Sequence, residues 1–181
     1  MISKPVIKVK DKSFKKLIDH ERIAKRIEEM GEAINHDYDN KNPLFIGILN
    51  GAFMFASDLM KQVHIPSEIT FIKVNSYRAT KSTGNIKELI GLQENIFKRN
   101  LIIIEDIVDT GNTLSHLLDG FGTLGAKSIE VATLLHKPEA MQKDLTIKYV
   151  GFSIPEKFVI GYGLDYDGYG RNSRDIFELT D

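Results

Sequence analysis

The residues best placed to do chemistry lie between Ile102 and Thr113, in the run IIIEDIVDTGNT. An apolar stretch long enough for a buried strand delivers Glu105, Asp106 and Asp109 at its carboxyl end, where ligands bind in open α/β sheets. Thr110, Gly111, Asn112 and Thr113 follow as a turn of small residues that opens a helix. Such a turn aims several backbone N–H groups at one anion, and the helix dipole adds to the attraction. The hydroxyls of Thr110 and Thr113 supply further donors. Acids beside a phosphate cradle repel a bare phosphate. They suit a ligand with phosphate at one end and a vicinal diol nearer the carboxylates, which accept hydrogen bonds from sugar hydroxyls. A ribose 5-phosphate has that form, and acids close to a polyphosphate also accommodate Mg2+. The plainer alternative is a strand whose acids only cap the next helix. For Asp109 alone the two accounts stand level; the ordered set of three acids followed by Thr-Gly-x-Thr favours the chemical one.

These residues need a sheet to carry them. Short β-branched runs alternate with helical patterns along the chain, the signature of βαβ units and a mostly parallel sheet. A first helix is predicted near 20–35, with Ile23, Ile27, Met30 and Ile34 on one face. LFIGIL (44–49) reads as a buried strand. Asn50-Gly51 and a second helix follow, with Ala52, Phe55, Ala56, Leu59 and Val63 as the buried stripe. EITFIKV (68–74) alternates as a strand does. LIIIEDIV (101–108) is the best candidate for a central strand. The helix after it carries Leu114, Leu117, Leu118, Phe121 and Leu124, with Gly125 at the capping position. SIEVATLL (128–135), IKYVGF (147–152) and FVIGY (158–162) supply three more strands. Residues 76–90 lose the periodicity and gather Ser, Thr and Gly, as functional loops do.

Length and composition bound the possibilities. A chain of 181 residues is one domain, 1–181. It is 42% hydrophobic and 27% charged, in the globular range. With 24 basic and 25 acidic residues the formal charge is -1, which argues for no nucleic-acid and no membrane partner. There is no cysteine, so disulfides, thiolate catalysis and cysteine-bound metals are excluded. The N-terminal MISKPVIKVKDK has no apolar signal-peptide core, and no apolar run approaches bilayer length. The location expected is cytoplasmic.

IIIEDIVDTGNT resembles the phosphoribosyl pyrophosphate-binding signature of the type I phosphoribosyltransferases. LNGAFMF (49–55), SYRATKSTG (76–84), LLHKPE (134–139) and VGFSIPEKFVIGYGLDYDGYGRN (150–172) extend the resemblance to the hypoxanthine-guanine branch, over roughly residues 20 to 175. The fold implied is α/β, a core of mostly parallel sheet flanked by helices, with a small hood drawn from both chain ends. The activity implied is purine salvage: transfer of the 5-phosphoribosyl group from phosphoribosyl pyrophosphate to N9 of hypoxanthine, and of guanine, giving IMP or GMP and pyrophosphate. On the same resemblance Glu105 and Asp106 hold the ribose hydroxyls, partly through Mg2+. Asp109 is the catalytic group near N7 of the base, and Thr110 to Thr113 cradle the 5-phosphate. Lys137 selects a 6-oxopurine base by donating to its oxygen, Phe158 stacks on the base, and Val159 offers backbone groups to its edge. Asp165 binds Mg2+, and Arg171 meets the pyrophosphate together with Asn50 and Gly51. Residues 76–90 form a mobile lid in which Ser76 and Tyr77 close over pyrophosphate. Members of the family are dimers or tetramers, so a homo-oligomer is implied.

Two points stand apart from the pattern. Many members carry Lys where this chain has Asn50, in a turn that often contains a non-proline cis peptide. Asp165-Tyr166-Asp167-Gly168 hints at a calcium loop but lacks the later Glu such loops require. His64 and His136 have no recognisable partners and read as solvated or structural. Two other readings remain: a xanthine-preferring or broad 6-oxopurine enzyme, since Lys137 cannot separate bases that share the 6-oxo group, and a non-catalytic phosphoribosyl pyrophosphate-sensing regulator. The regulator would need a DNA-binding domain or a basic face that this chain lacks.

Overall fold

The computed structural model describes residues 6–74 and 89–180. Ser76, Tyr77 and nearly all of the expected lid therefore lie outside the described residues. The main sheet has the order β5-β4-β3-β6-β7-β8. Its strands are β3 (Leu44–Leu49), β4 (Glu68–Val74), β5 (Leu89–Ile90), β6 (Asn100–Val108), β7 (Ser128–His136) and β8 (Tyr149–Ser153). All pair in parallel except the short edge strand β5, which runs antiparallel to β4. The parallel α/β sheet read from the sequence is thus borne out, with LIIIEDIV at its centre, between β3 and β7.

Strand alternation divides the apolar residues of β6 between two cores. Ile102 and Ile104 face one way, onto α1 (His20–Asp37) and α2 (Phe53–Gln62). Leu101 and Ile103 face the other way, onto α3 (Asn112–Thr123). α1 starts where Asp19 accepts a hydrogen bond from the Arg22 N–H at 2.9 Å, satisfying one of the free donors of a helix N-terminus. Ile23, Ile27, Met30 and Ile34 form its buried stripe, as their spacing predicts. The α2 stripe holds at Ala52, Phe55, Ala56 and Leu59, whereas Val63 follows the helix as its C-cap and is half-buried. Leu124 departs from expectation: α3 ends at Thr123, so Leu124 falls on the cap and is 52% exposed.

A second sheet, β1-β2-β10-β9, is wholly antiparallel. It joins β1 (Val6–Val9) and β2 (Lys12–Ile18) to β9 (Val159–Ile160) and β10 (Ile176–Leu179), taking two strands from each end of the described chain. FVIGY therefore contributes only two strand residues, and they belong to this hood. Phe14, Ile160 and Phe177 make its small core. No helix among the described residues is long and apolar enough to cross a membrane.

Candidate active site

At the carboxyl end of β6 an open cavity of about 200 Å³ is lined by Glu105, Asp109 and the turn Thr110 to Thr113. Gly111 reaches the left-handed φ of 77° that lets the chain reverse into α3. Gly111, as the N-cap of α3, has no side chain to cap the helix, and the Asn112 N–H makes only a long bond of 3.4 Å to Thr110 Oγ1, which a ligand anion can displace. The turn is braced from behind. Its Thr110 carbonyl accepts from the Gln142 N–H at 3.0 Å, and Met141 and Leu145 pack against Gly111. Gln142 carries no chemical signature in the sequence, and its part was not legible there.

The two acids of the strand behave differently. Asp106 accepts from the Ile107 N–H at 3.0 Å. Its carboxyl lies so close to Gly51 that a Cβ built there would stand 1.6 Å from Oδ2. The Asn50–Gly51 turn after β3 is thus in contact with the acidic end of β6. Asn50 is exposed, and the Leu49–Asn50 peptide is cis, as the family pattern implies. Loss of water around the Glu105 carboxyl, and the Asp106 carboxyl next to it, push the proton affinity of Glu105 well up. Two neighbouring carboxyls of this kind favour either a retained proton or an added cation.

Asp109 meets a partner that sequence spacing does not predict. Lys137, 7% exposed at the end of β7, places Nζ 2.9 Å from Asp109 Oδ2. Parallel pairing of β6 and β7 brings them together, with Val108 opposite His136 and the Lys137 N–H donating to the Val108 carbonyl at 2.9 Å. The segment after β8 leaves from the same place, since the Ile154 N–H donates to His136 O at 2.8 Å. That segment leads to Phe158, whose ring is 46% exposed yet held edge-on by Tyr166 at 5.9 Å. Phe14 lies 6.3 Å from it, and Lys12 Nζ lies 6.0 Å from its centre. Val159 is buried in β9 opposite Glu178 of β10.

His64 is exposed, in keeping with a solvated role. His136 Nε2 is buried without a partner among the described residues, and burial holds its proton affinity below the ordinary range.

Asp165 and Arg171 pair with each other, Nη2 to Oδ1 at 2.7 Å. Arg171 Nη1 also donates to the Gly163 carbonyl at 2.6 Å, so both terminal nitrogens are engaged within the hood. Asp165 Oδ2 accepts from the Gly168 N–H at 2.6 Å. Asp165 does not join Glu105 and Asp106 in one cluster: among the described residues no three acid or histidine side chains converge as a metal cage would.

Residues 13–167 match the model of the phosphoribosyl transferase domain. The hypoxanthine-guanine phosphoribosyltransferase of Bacillus subtilis is 42% identical over 159 residues, 87% of this chain and 88% of that protein. The hypoxanthine phosphoribosyltransferase of Buchnera aphidicola is 41% identical over 157 residues, 85% of this chain and 89% of the relative. A crystal structure of a Bacillus anthracis hypoxanthine-guanine phosphoribosyltransferase with a HEPES molecule in its active site superposes with a TM-score of 0.84 at 36% identity, covering 92% of this chain and 96% of that one. From the domain match, the relatives aligned over most of their length and the shared fold, the chain belongs to the phosphoribosyltransferase family, in its hypoxanthine-guanine branch.

Proposed function

We propose that the chain, acting as one domain over 1–181, transfers the 5-phosphoribosyl group from phosphoribosyl pyrophosphate to N9 of hypoxanthine and guanine, releasing pyrophosphate. The observation that carries this reading is the open cavity in which Glu105, Asp109 and the 110–113 turn meet, with Lys137 against Asp109. N–H groups and hydroxyls from Thr110 to Thr113 take the 5-phosphate, and Glu105 and Asp106 accept from the ribose hydroxyls. Lys137 donates to the 6-oxo group. Adenine presents an amine there, donor against donor, and a site built around such pairing rejects the wrong base strongly. Phe158 covers the base, and the Val159 backbone meets its edge.

In the transfer the bond from C1′ to the pyrophosphate oxygen breaks while N9 bonds to C1′. The proton on N7 passes to the Asp109 carboxylate, which also steadies the positive charge that develops on the ribose. Asn50, Gly51 and Arg171 receive the pyrophosphate, Arg171 by exchanging partners, and Ser76 and Tyr77, outside the described residues, belong to the same assignment.

Mg2+ fits the donor set. Glu105, Asp106 and Asp165 offer hard oxygen ligands, and their small number suits an ion that takes its remaining ligands from water and substrate phosphates. Glu105 and Asp106 would hold one ion, and Asp165 would hold one from the hood. When bound, the ion neutralises charge on the leaving pyrophosphate. A homo-oligomer, dimer or tetramer, and a cytoplasmic location belong to the same proposal.

The test is nucleotide formation from phosphoribosyl pyrophosphate and Mg2+ with hypoxanthine, guanine, xanthine, adenine and uracil offered separately. Turnover of the first two with little on adenine is the expected result, and dominant turnover of xanthine would shift the substrate assignment. Binding of phosphoribosyl pyrophosphate without turnover of any base would replace the enzyme by a sensor.

A further inference from the structure

Gly161, Tyr162 and Gly163 have φ of 97°, 50° and 100° in succession. Glycine takes such angles freely; a tyrosine does so only where its neighbours hold it. Tyr162 is held at both ends. Its ring is 5% exposed in the core beneath the main sheet. Its hydroxyl donates to the Asp58 carboxylate on α2, and its N–H donates to Ser173 O at 2.8 Å. The next residue, Gly163, lies against the Asn50–Gly51 turn so closely that a Cβ on it would stand 2.1 Å from Gly51 O. The opposite contact of that turn is the Asp106 carboxyl. Asp58 belongs to the helix that begins at Phe53, directly after the same turn. Gly51, α2, Asp58, Tyr162 and Gly163 therefore close a ring of contacts.

We propose that Tyr162 is a positioning residue for the pyrophosphate half of the site. Its hydroxyl, anchored on Asp58, sets how the Gly163 backbone seats against the Asn50–Gly51 turn. The inference rests on the reading above that this turn receives pyrophosphate. Until pyrophosphate draws it away, Arg171 reinforces the arrangement, because it binds the Gly163 carbonyl and Asp165 together. The anchor is separable from folding. Asp58 keeps its pair with Lys61 at 2.7 Å, and its side chain is 40% exposed, so water can replace a lost tyrosine hydroxyl.

The test is steady-state kinetics of the full chain with Mg2+, forward with hypoxanthine and in reverse with IMP and pyrophosphate. Tyr162→Phe is expected to raise KM for phosphoribosyl pyrophosphate and for pyrophosphate about tenfold, within what one hydrogen bond to a charged acceptor supports. KM for hypoxanthine should stay near the wild-type value. Asp58→Asn, whose amide oxygen still accepts from the hydroxyl, should behave as wild type. Asp58→Leu should copy Tyr162→Phe, and the double variant should be no worse than either single one. Unchanged KM for both phosphate substrates in Tyr162→Phe overturns the inference, as does a uniform loss in every parameter. Wild-type turnover judges the functional reading separately. Titration calorimetry with magnesium pyrophosphate judges the anchor without turnover: an unchanged Kd in Tyr162→Phe sinks it.

Discussion

Asp109 and Lys137 share one hydrogen bond across the end of two parallel strands, so a change at either one is felt at the other. Asp109→Asn keeps an oxygen that accepts from Lys137 but removes the carboxylate that takes the N7 proton. Its turnover should fall by roughly 10²–10⁴, the range for losing a general base, with binding of phosphoribosyl pyrophosphate little changed. Pre-steady-state turnover set beside calorimetric binding checks this, and unchanged turnover removes the assigned role. Lys137→Ala should weaken use of hypoxanthine by about 1–3 kcal/mol in kcat/KM, the penalty for an unpaired buried polar group. Equal kcat/KM for hypoxanthine in that variant would end its role as the base selector.

At the scale of elements, the site depends on how closely the turn after β3, the end of β6 and the hood loop approach one another. Two glycines permit this, and their replacements should fail differently. A Cβ at Gly51 meets the tip of the Asp106 side chain, which can swing away. Gly51→Ala should therefore fold, yet lose affinity for phosphoribosyl pyrophosphate as the carboxyl leaves its place. A Cβ at Gly163 meets a backbone carbonyl at 2.1 Å, at a φ of 100° that side chains rarely adopt. That backbone cannot swing aside, so Gly163→Ala should lower Tm the more of the two. Thermal unfolding of both variants beside calorimetry of Gly51→Ala checks the ranking, and a larger Tm loss in Gly51→Ala would contradict it.

For the whole molecule, acid stability follows carboxylates held by distant partners. Lys148 at 2.9 Å, with Tyr149 and His36 behind it, holds Asp37 well below the usual carboxylate range. Asp37 closes α1, whereas Lys148 and Tyr149 lie at β8, so the pairing ties the first helix to the sheet edge. With its native proton affinity lowered, Asp37 is protonated in the unfolded chain before the folded one. Its contribution is complete above the unfolded carboxylate value and is lost as pH falls below it. Urea unfolding between pH 5 and pH 2 should show wild-type stability falling more steeply than that of Asp37→Asn. Parallel slopes would refute the assignment.

The sequence alone determined the ordered acids and small-residue turn, the central strand and its neighbours, the stripes of α1 and α2, and the family. Each is written in local spacing, since period 2 or 3.6 reports which face of one element is buried. Residues 158–162 were legible as a strand, but not as part of a separate antiparallel sheet, because a two-residue strand such as β9 has no period to read. Only tertiary structure decided the pairing of Lys137 with Asp109, 28 residues apart, and of Tyr162 with Asp58, 104 apart. It also decided that Arg171 is engaged with Gly163 and Asp165, and that Gly51 lies between Asp106 and Gly163. These contacts arise where separate elements pack, and side-chain partners across such distances follow from strand order and close approach, which no window of sequence contains.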